Sequence, residues 1–216
     1  MKDIQYVLLG LVLIFFSSCS NSVTIENGDI SLMVDHKMHI KLASLNENTE
    51  IYHNTFVPAD YLVAREFTAK DFSLSNTSQH KNGNKLSGIY SNDGYVIEKV
   101  MTISACDTLK GMLLFDIKYI NKGTKEPTIT SWVSHELRMD SPISSDTIWS
   151  LQTSSTNARK DWILPVGKGF YQKNYMGMNN SDYGGGIPVS DLWRSDGGFA
   201  IGLTEKTLKL VSLPVS

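Results

Sequence analysis

The chain has little cysteine, little net charge and no helical periodicity. Only Cys19 and Cys106 occur in 216 residues. A disulfide framework is therefore excluded, and an exported domain of this length must rely on the size of its core. Formal net charge is −2 and the Lys and Arg residues are scattered. No basic field exists to hold a polyphosphate backbone, so no nucleic-acid partner is expected. No stretch keeps apolar residues at a 3.6-residue period over three or four turns, and no βαβ spacing appears, which excludes a doubly wound α/β fold. Metal-ligand spacing is missing too. His36 and His39 read as lying on a strand, facing opposite ways, and His53, His80 and His135 lack ligand-like neighbours. No metal and no cofactor is expected; the acidic run Asn180–Asp182 is a weak candidate for calcium. Gly184-Gly185-Gly186 is followed by Ile187-Pro188, with no Lys-Ser/Thr and no helix, so it is not a nucleotide loop. No Ser-His-Asp elbow is specified.

What is present begins with a leader. Lys2 precedes an apolar run, Val7–Phe16, and then Ser17-Ser18-Cys19. The run is short for a membrane span and fits a secretory signal. The serines before Cys19 resemble a bacterial lipoprotein processing site, with Phe16 where an aliphatic residue is usual. That resemblance implies a signal peptide over residues 1–18 and a lipidated Cys19 opening a short tether over 19–24. It also implies export and lipid anchoring to a bacterial membrane, on the outer-membrane or periplasmic side. An ordinary signal peptide with a chance cysteine is the alternative. Cys106 lies in a strand-like run and reads as a small buried hydrophobe.

Residues 25–216 read as one all-β domain. Apolar and polar residues alternate over Ile30–Val34 and Met38–Leu42, the period-two signature of a strand with one wet face. Asn27-Gly28, Asn82-Gly83 and Asn92-Asp93-Gly94 mark turns. Tyr95–Ala105, Met112–Ile120 and Ile129–Met139 read as long strands. Ser73–Asn84 reads as a polar stretch with a turn. Residues 51–72 read as strand, loop, strand around Pro58, with a short helix over Asp60–Phe67 as the alternative. About twelve to sixteen short strands fit the length. The expected architecture is a large antiparallel two-sheet β-supersandwich.

Glycine and tryptophan gather late in the chain. Nine of the 16 glycines lie between Gly167 and Gly202, and all four tryptophans lie beyond residue 130. Asp182, Tyr183, Asp191, Trp193 and Arg194 fall within this stretch. Carboxylates accept hydrogen bonds from sugar hydroxyls, Arg donates in a planar fork, and an indole or phenol ring stacks on a pyranose face. A surface loop whose carboxylates cap turns accounts for the same residues equally well. Glycosidase chemistry needs two carboxylates at a set separation, and no pair is specified. Glu136 and Asp140 near Trp132 are as readily explained by a solvated strand end, so no catalytic residue is assigned.

The run NYMGMNNSDYGGGIPVSDLWRSDGGFAIG, Asn174 to Gly202, followed by LVSLPVS, resembles the bacterial, Bacteroidetes-type alpha-galactosidases of the melibiase group. It is similar to the end of their N-terminal β-supersandwich, just before a (β/α)₈ barrel. The likeness rests on Asn179–Gly186, Ile187-Pro188-Val189, Asp191, Trp193, Gly202 and Ser212–Val215; over residues 25–165 only the strand pattern agrees. The resemblance implies retaining hydrolysis of terminal alpha-galactosides by two aspartates of the barrel. A barrel takes roughly 250 residues and none follows Ser216. The expectation is a first domain, whether truncated, encoded by a split gene or free-standing, that is inactive alone. Its partners would be a galactoside, a barrel in cis or in a neighbouring chain, a lipid membrane through Cys19, and a second copy in a homo-oligomer. Asp182, Tyr183, Asp191, Trp193 and Arg194 become candidates for the sugar-pocket rim or the barrel interface. Alternatives are a carbohydrate-binding surface lipoprotein and a purely structural domain orienting a separate barrel.

Overall fold

A computed structural model describes residues 22–45, 55–137, 146–152, 163–172, 175–176, 189–195, 197–204 and 211–216. The expected leader over residues 1–18, Cys19, Asp182 and Tyr183 lie outside these residues. Among the described residues there are sixteen strands and no helix. The strands form five antiparallel sheets, none closed into a barrel. The all-β, antiparallel expectation holds in that form.

The first sheet is a meander of β1 (Val23–Asn27), β2 (Ile30–Val34) and β3 (Ile40–Ser44). The hairpin between β1 and β2 turns at Gly28, whose φ of 61° is costly for a residue with a Cβ. The second sheet holds β6 (Ser73–His80), β7 (Gly83–Asn92), β8 (Tyr95–Ala105) and β9 (Leu113–Asn121), in that order. Asp93 and Gly94 both have positive φ between the paired residues Asn92 and Tyr95. That is the two-residue turn whose twist matches the strands it joins.

One core lies between these two sheets. Leu32, Val34 and Ile40 from the first sheet cluster with Leu86, Ile97, Met101 and Ile103 from the second. Each such fully buried side chain contributes about 1.5–3 kcal/mol. A small sheet closes the flank: β4 (Tyr61–Ala64) pairs with β5 (Thr68–Ala69) and with β10 (Ile129–Val133). A fourth sheet, ordered β12 (Ile163–Val166), β11 (Ile148–Gln152), β14 (Val189–Arg194), β15 (Gly197–Gly202), contributes no residue to that core cluster. A two-stranded ladder of β13 (Tyr175–Met176) and β16 (Val211–Ser212) completes the set.

Three local expectations are corrected, and over residues 60–67 the helix alternative gives way to strand. Residues 61–64 are extended, not helical, because their backbone is held on both sides by β5 and β10. The polar stretch 73–80 is a full edge strand, with its exposed side chains held in the sheet by backbone pairing to β7. His36 and His39 sit in a turn between β2 and β3: the Asp35 carboxylate accepts from the backbone N–H of Lys37 at 2.8 Å and of His39 at 2.9 Å. Cys106 lies just past β8 and is only partly buried. Its thiol pKa is lowered by hydrogen bonding to Thr108.

Candidate functional site

The fourth sheet carries the sequence-predicted residues that the structure describes. Residues 189–194 form a strand rather than a loop, held between β11 and β15. Alternation along a strand puts Asp191 and Trp193 on one face and Leu192 and Arg194 on the other. The register sets Trp193 directly opposite Trp149 of β11, and Asp191 opposite Leu151. Ile163 and Pro165 of β12 continue the same face. Trp149 is 38% exposed and Ile163 54%, while Asp191 and Trp193 are half-buried. The result is a largely apolar strip crossing three strands, with Trp149 and Trp193 at opposite register positions and Asp191 two residues before Trp193 on the same face.

Arg194 does not share this surface: it is buried on the opposite face, as is Ser150. Burial pushes the Asp191 carboxyl pKa up, and a hydrogen bond from the Leu192 backbone N–H opposes the shift. A carboxyl so placed accepts hydrogen bonds from hydroxyl groups beside an aromatic platform.

Gly198 positions Trp193. A Cβ at 198 would lie 2.5 Å from the Trp193 Cβ and 2.5 Å from the Leu192 carbonyl oxygen. Gly198→Ala is expected to separate β14 from β15 locally and to cost about 1–3 kcal/mol. Near-UV circular dichroism and chemical denaturation should both register it. Gly167→Ala is the control: nothing lies within 4 Å of a Cβ there, so its effect should stay within about 0.5 kcal/mol.

A second polar constellation was not anticipated from the sequence. Asp60, 1% exposed, and Lys99, 0% exposed, meet inside the core. Lys99 occupies an inward position of β8 between Ile97 and Met101, and its ammonium donates to the Asp60 backbone carbonyl at 2.8 Å. The Asp60 carboxylate accepts from Ser134 Oγ at 3.0 Å and from the His135 backbone N–H at 3.0 Å, with His135 Nδ1 at 3.5 Å. These bonds explain why the strand expected over 129–139 stops at Val133. His135 takes a φ of 60° to present its N–H to Asp60. The His135 ring also meets Phe115 edge-on, with centroids 4.3 Å apart. Burial lowers the Lys99 pKa, with Asp60 opposing. Burial raises the Tyr119 pKa, and the Asp60 charge adds to the shift. Lys99 is fully enclosed, so the group acts as a cross-link between sheets rather than as a reactive amine.

Glu136 is engaged structurally: its carboxylate accepts from Tyr61 Oη at 2.6 Å. Trp132, at 69% exposed, stands apart from the Trp149–Trp193 face in sequence and sheet. Among the described residues no group of three or more His, Cys, Asp or Glu side chains could hold a metal ion, and no helix is long and apolar enough to cross a membrane. No protein-family model matches the sequence, and comparison with curated proteins finds no match.

Proposed function

We propose that this chain is the non-catalytic N-terminal β-supersandwich of an alpha-galactosidase-like retaining glycoside hydrolase, exported and lipid-anchored through Cys19. The observation that carries the proposal is the face shared by Asp191 and Trp193, which lie inside the stretch that resembles the melibiase group, and by Trp149 of the neighbouring strand. Two tryptophans on neighbouring strands and a carboxylate on the same face suit the apolar face and the hydroxyl rim of a pyranose. The same face suits the rim of a barrel that closes over such a sugar. Catalysis belongs to the barrel, supplied in cis or by a neighbouring chain.

The test is hydrolysis of an aryl alpha-galactoside by the purified chain, alone and mixed with the protein encoded immediately downstream. Silence alone and activity in the mixture support the accessory role. Activity of the chain alone overturns it.

A sugar-binding surface lipoprotein is the second reading, favoured by the exposure of Trp149. It predicts that melibiose shifts the tryptophan fluorescence of the chain without any barrel. Trp193→Ala should then weaken binding about three- to tenfold, the size of one stacking contact. No response to melibiose in the absence of a barrel would discard this second reading.

A further inference from the structure

The second sheet, β6-β7-β8-β9, has two edges that differ in kind. The β6 edge is polar, and its pairing with β7 is broken by a bulge between Leu74 and Asn76. Polar side chains and bulges are the usual devices that keep an edge from pairing with another chain. The β9 edge has no bulge, and its two exposed charged side chains, Asp116 and Lys118, are of opposite sign. Its nine residues, Leu-Leu-Phe-Asp-Ile-Lys-Tyr-Ile-Asn, pair with β8 along their whole length with no register break. They contain no proline and no glycine, and among the described residues β9 has no second strand partner. Its inward side chains Phe115, Ile117 and Tyr119 are only partly buried against the core, and its outward Leu114 and Ile120 are 39% and 40% exposed.

We infer that β9 pairs antiparallel with β9 of a second copy of this chain, about a two-fold axis at Ile117, to make one continuous eight-stranded sheet. The order of side chains along β9 selects this register. Centring on Ile117 sets Asp116 opposite Lys118 of the second copy, twice over. It also sets Leu114 opposite Ile120 and Phe115 opposite Tyr119. Centring one residue away, on Asp116 or on Lys118, brings two like charges directly together. Keeping inward residues opposite inward residues allows only pair sums of even parity, so these are the competing registers near the middle of the strand. Opposite-charge, aromatic and apolar cross-strand pairs each contribute about 0.2–1 kcal/mol, and like charges oppose pairing. Within one copy, Lys118 Nζ already lies 3.1 Å from Asp116 Oδ2 along the strand, and both side chains are well exposed. Exchanging that pair for two cross-copy pairs exposes no charge that was previously matched. A symmetric contact of this kind closes on itself, with the same patch used by both subunits.

The test is sedimentation velocity of the full chain over a range of concentrations, with two single-charge reversals. Wild type should show a concentration-dependent dimer. Asp116→Lys and Lys118→Asp each set like charges opposite one another and should each weaken dimerisation at least about tenfold. Mixing the two variants should restore the dimer, because each then offers the charge the other lacks; so should the double reversal Asp116→Lys/Lys118→Asp. Both positions are exposed, and circular dichroism of each variant checks that it folds. A wild type that stays monomeric would overturn the inference. So would single reversals that remain dimeric, or a mixture that stays monomeric.

Discussion

Asp60→Ala is expected to cost about 2–5 kcal/mol of folding stability, because it leaves buried donors unpaired at about 1–3 kcal/mol each. The substitution deletes the acceptor of two 3.0 Å hydrogen bonds, from Ser134 Oγ and the His135 N–H. It also leaves the enclosed Lys99 ammonium without an opposing charge. Asp60→Asn should cost less, because it retains an oxygen acceptor and loses only the charge. Lys99→Met keeps the Ser134 and His135 bonds but removes the donor to the Asp60 carbonyl and the positive charge that faces the carboxylate from the core. The double variant Asp60→Asn/Lys99→Met should recover much of the combined loss, with a coupling of about 0.5–3 kcal/mol. Urea denaturation reads all four variants against wild type, and an unchanged slope would show that the denatured state is unaffected. Strict additivity would mean that the two groups do not sense each other.

The same pair predicts an alkaline signature. Lys99 has its pKa lowered from 10.5 in the folded protein, by burial first and against the pull of Asp60. Between the lowered folded value and 10.5 the unfolded chain binds more protons, so this group makes stability rise with pH across that window. Tyr61 works in the other direction. Its pKa is pushed up to about 12, by the hydrogen bond to Glu136 first and by burial second. Between 10 and 12 the folded state retains the phenol proton that the unfolded chain releases, so stability falls there. Subtracting the Lys99→Met curve from that of wild type isolates the rising component.

Lys99 also shows where the sequence was legible and where it was not. The inward face of β8 reads Ile97, Lys99, Met101, Ile103, a period-two apolar run with one basic residue in it. That interruption was the local sign of a buried cation. Its partner had no such sign, because Asp60 lies in a stretch without clean periodicity and the two meet only through the packing of separate sheets. The hairpins at Gly28 and at Asp93-Gly94 were readable because turn chemistry is local. β6 was not recognised as a strand, because an exposed edge needs no apolar alternation when backbone pairing holds it. The candidate site divides in the same way. Trp193 and Asp191 stood out by residue type, but the companion of Trp193 is Trp149, 44 positions earlier, set beside it by strand register. Arg194 follows Trp193 in sequence and falls on the other face because strands alternate. Cys19, Asp182 and Tyr183 lie outside the described residues.

Phe72→Ala is the second large expected loss, about 3–5 kcal/mol. Phe72 is the largest of the fully buried side chains among the described residues. Its ring lies 6.1 Å from that of Tyr90 and 5.9 Å from that of Tyr119, and the Lys99 ammonium stands 5.5 Å from its centroid. Truncation therefore opens a cavity beside a buried cation, and the two effects need separating. Phe72→Leu preserves most of the volume. By packing alone it should cost less than about 1.5 kcal/mol. Any excess belongs to the ring: aromatic pairs contribute about 0.5–1.5 kcal/mol and a desolvated cation over a ring about 2 kcal/mol. The Lys99→Met background distinguishes these sources. If the ammonium draws on the ring, Phe72→Leu should cost measurably less once Lys99 is gone, because only the pairs with Tyr90 and Tyr119 remain to be lost. An equal cost in both backgrounds would show that Phe72 serves Lys99 by filling space alone, and that Asp60 is the group that makes burial of the ammonium tolerable.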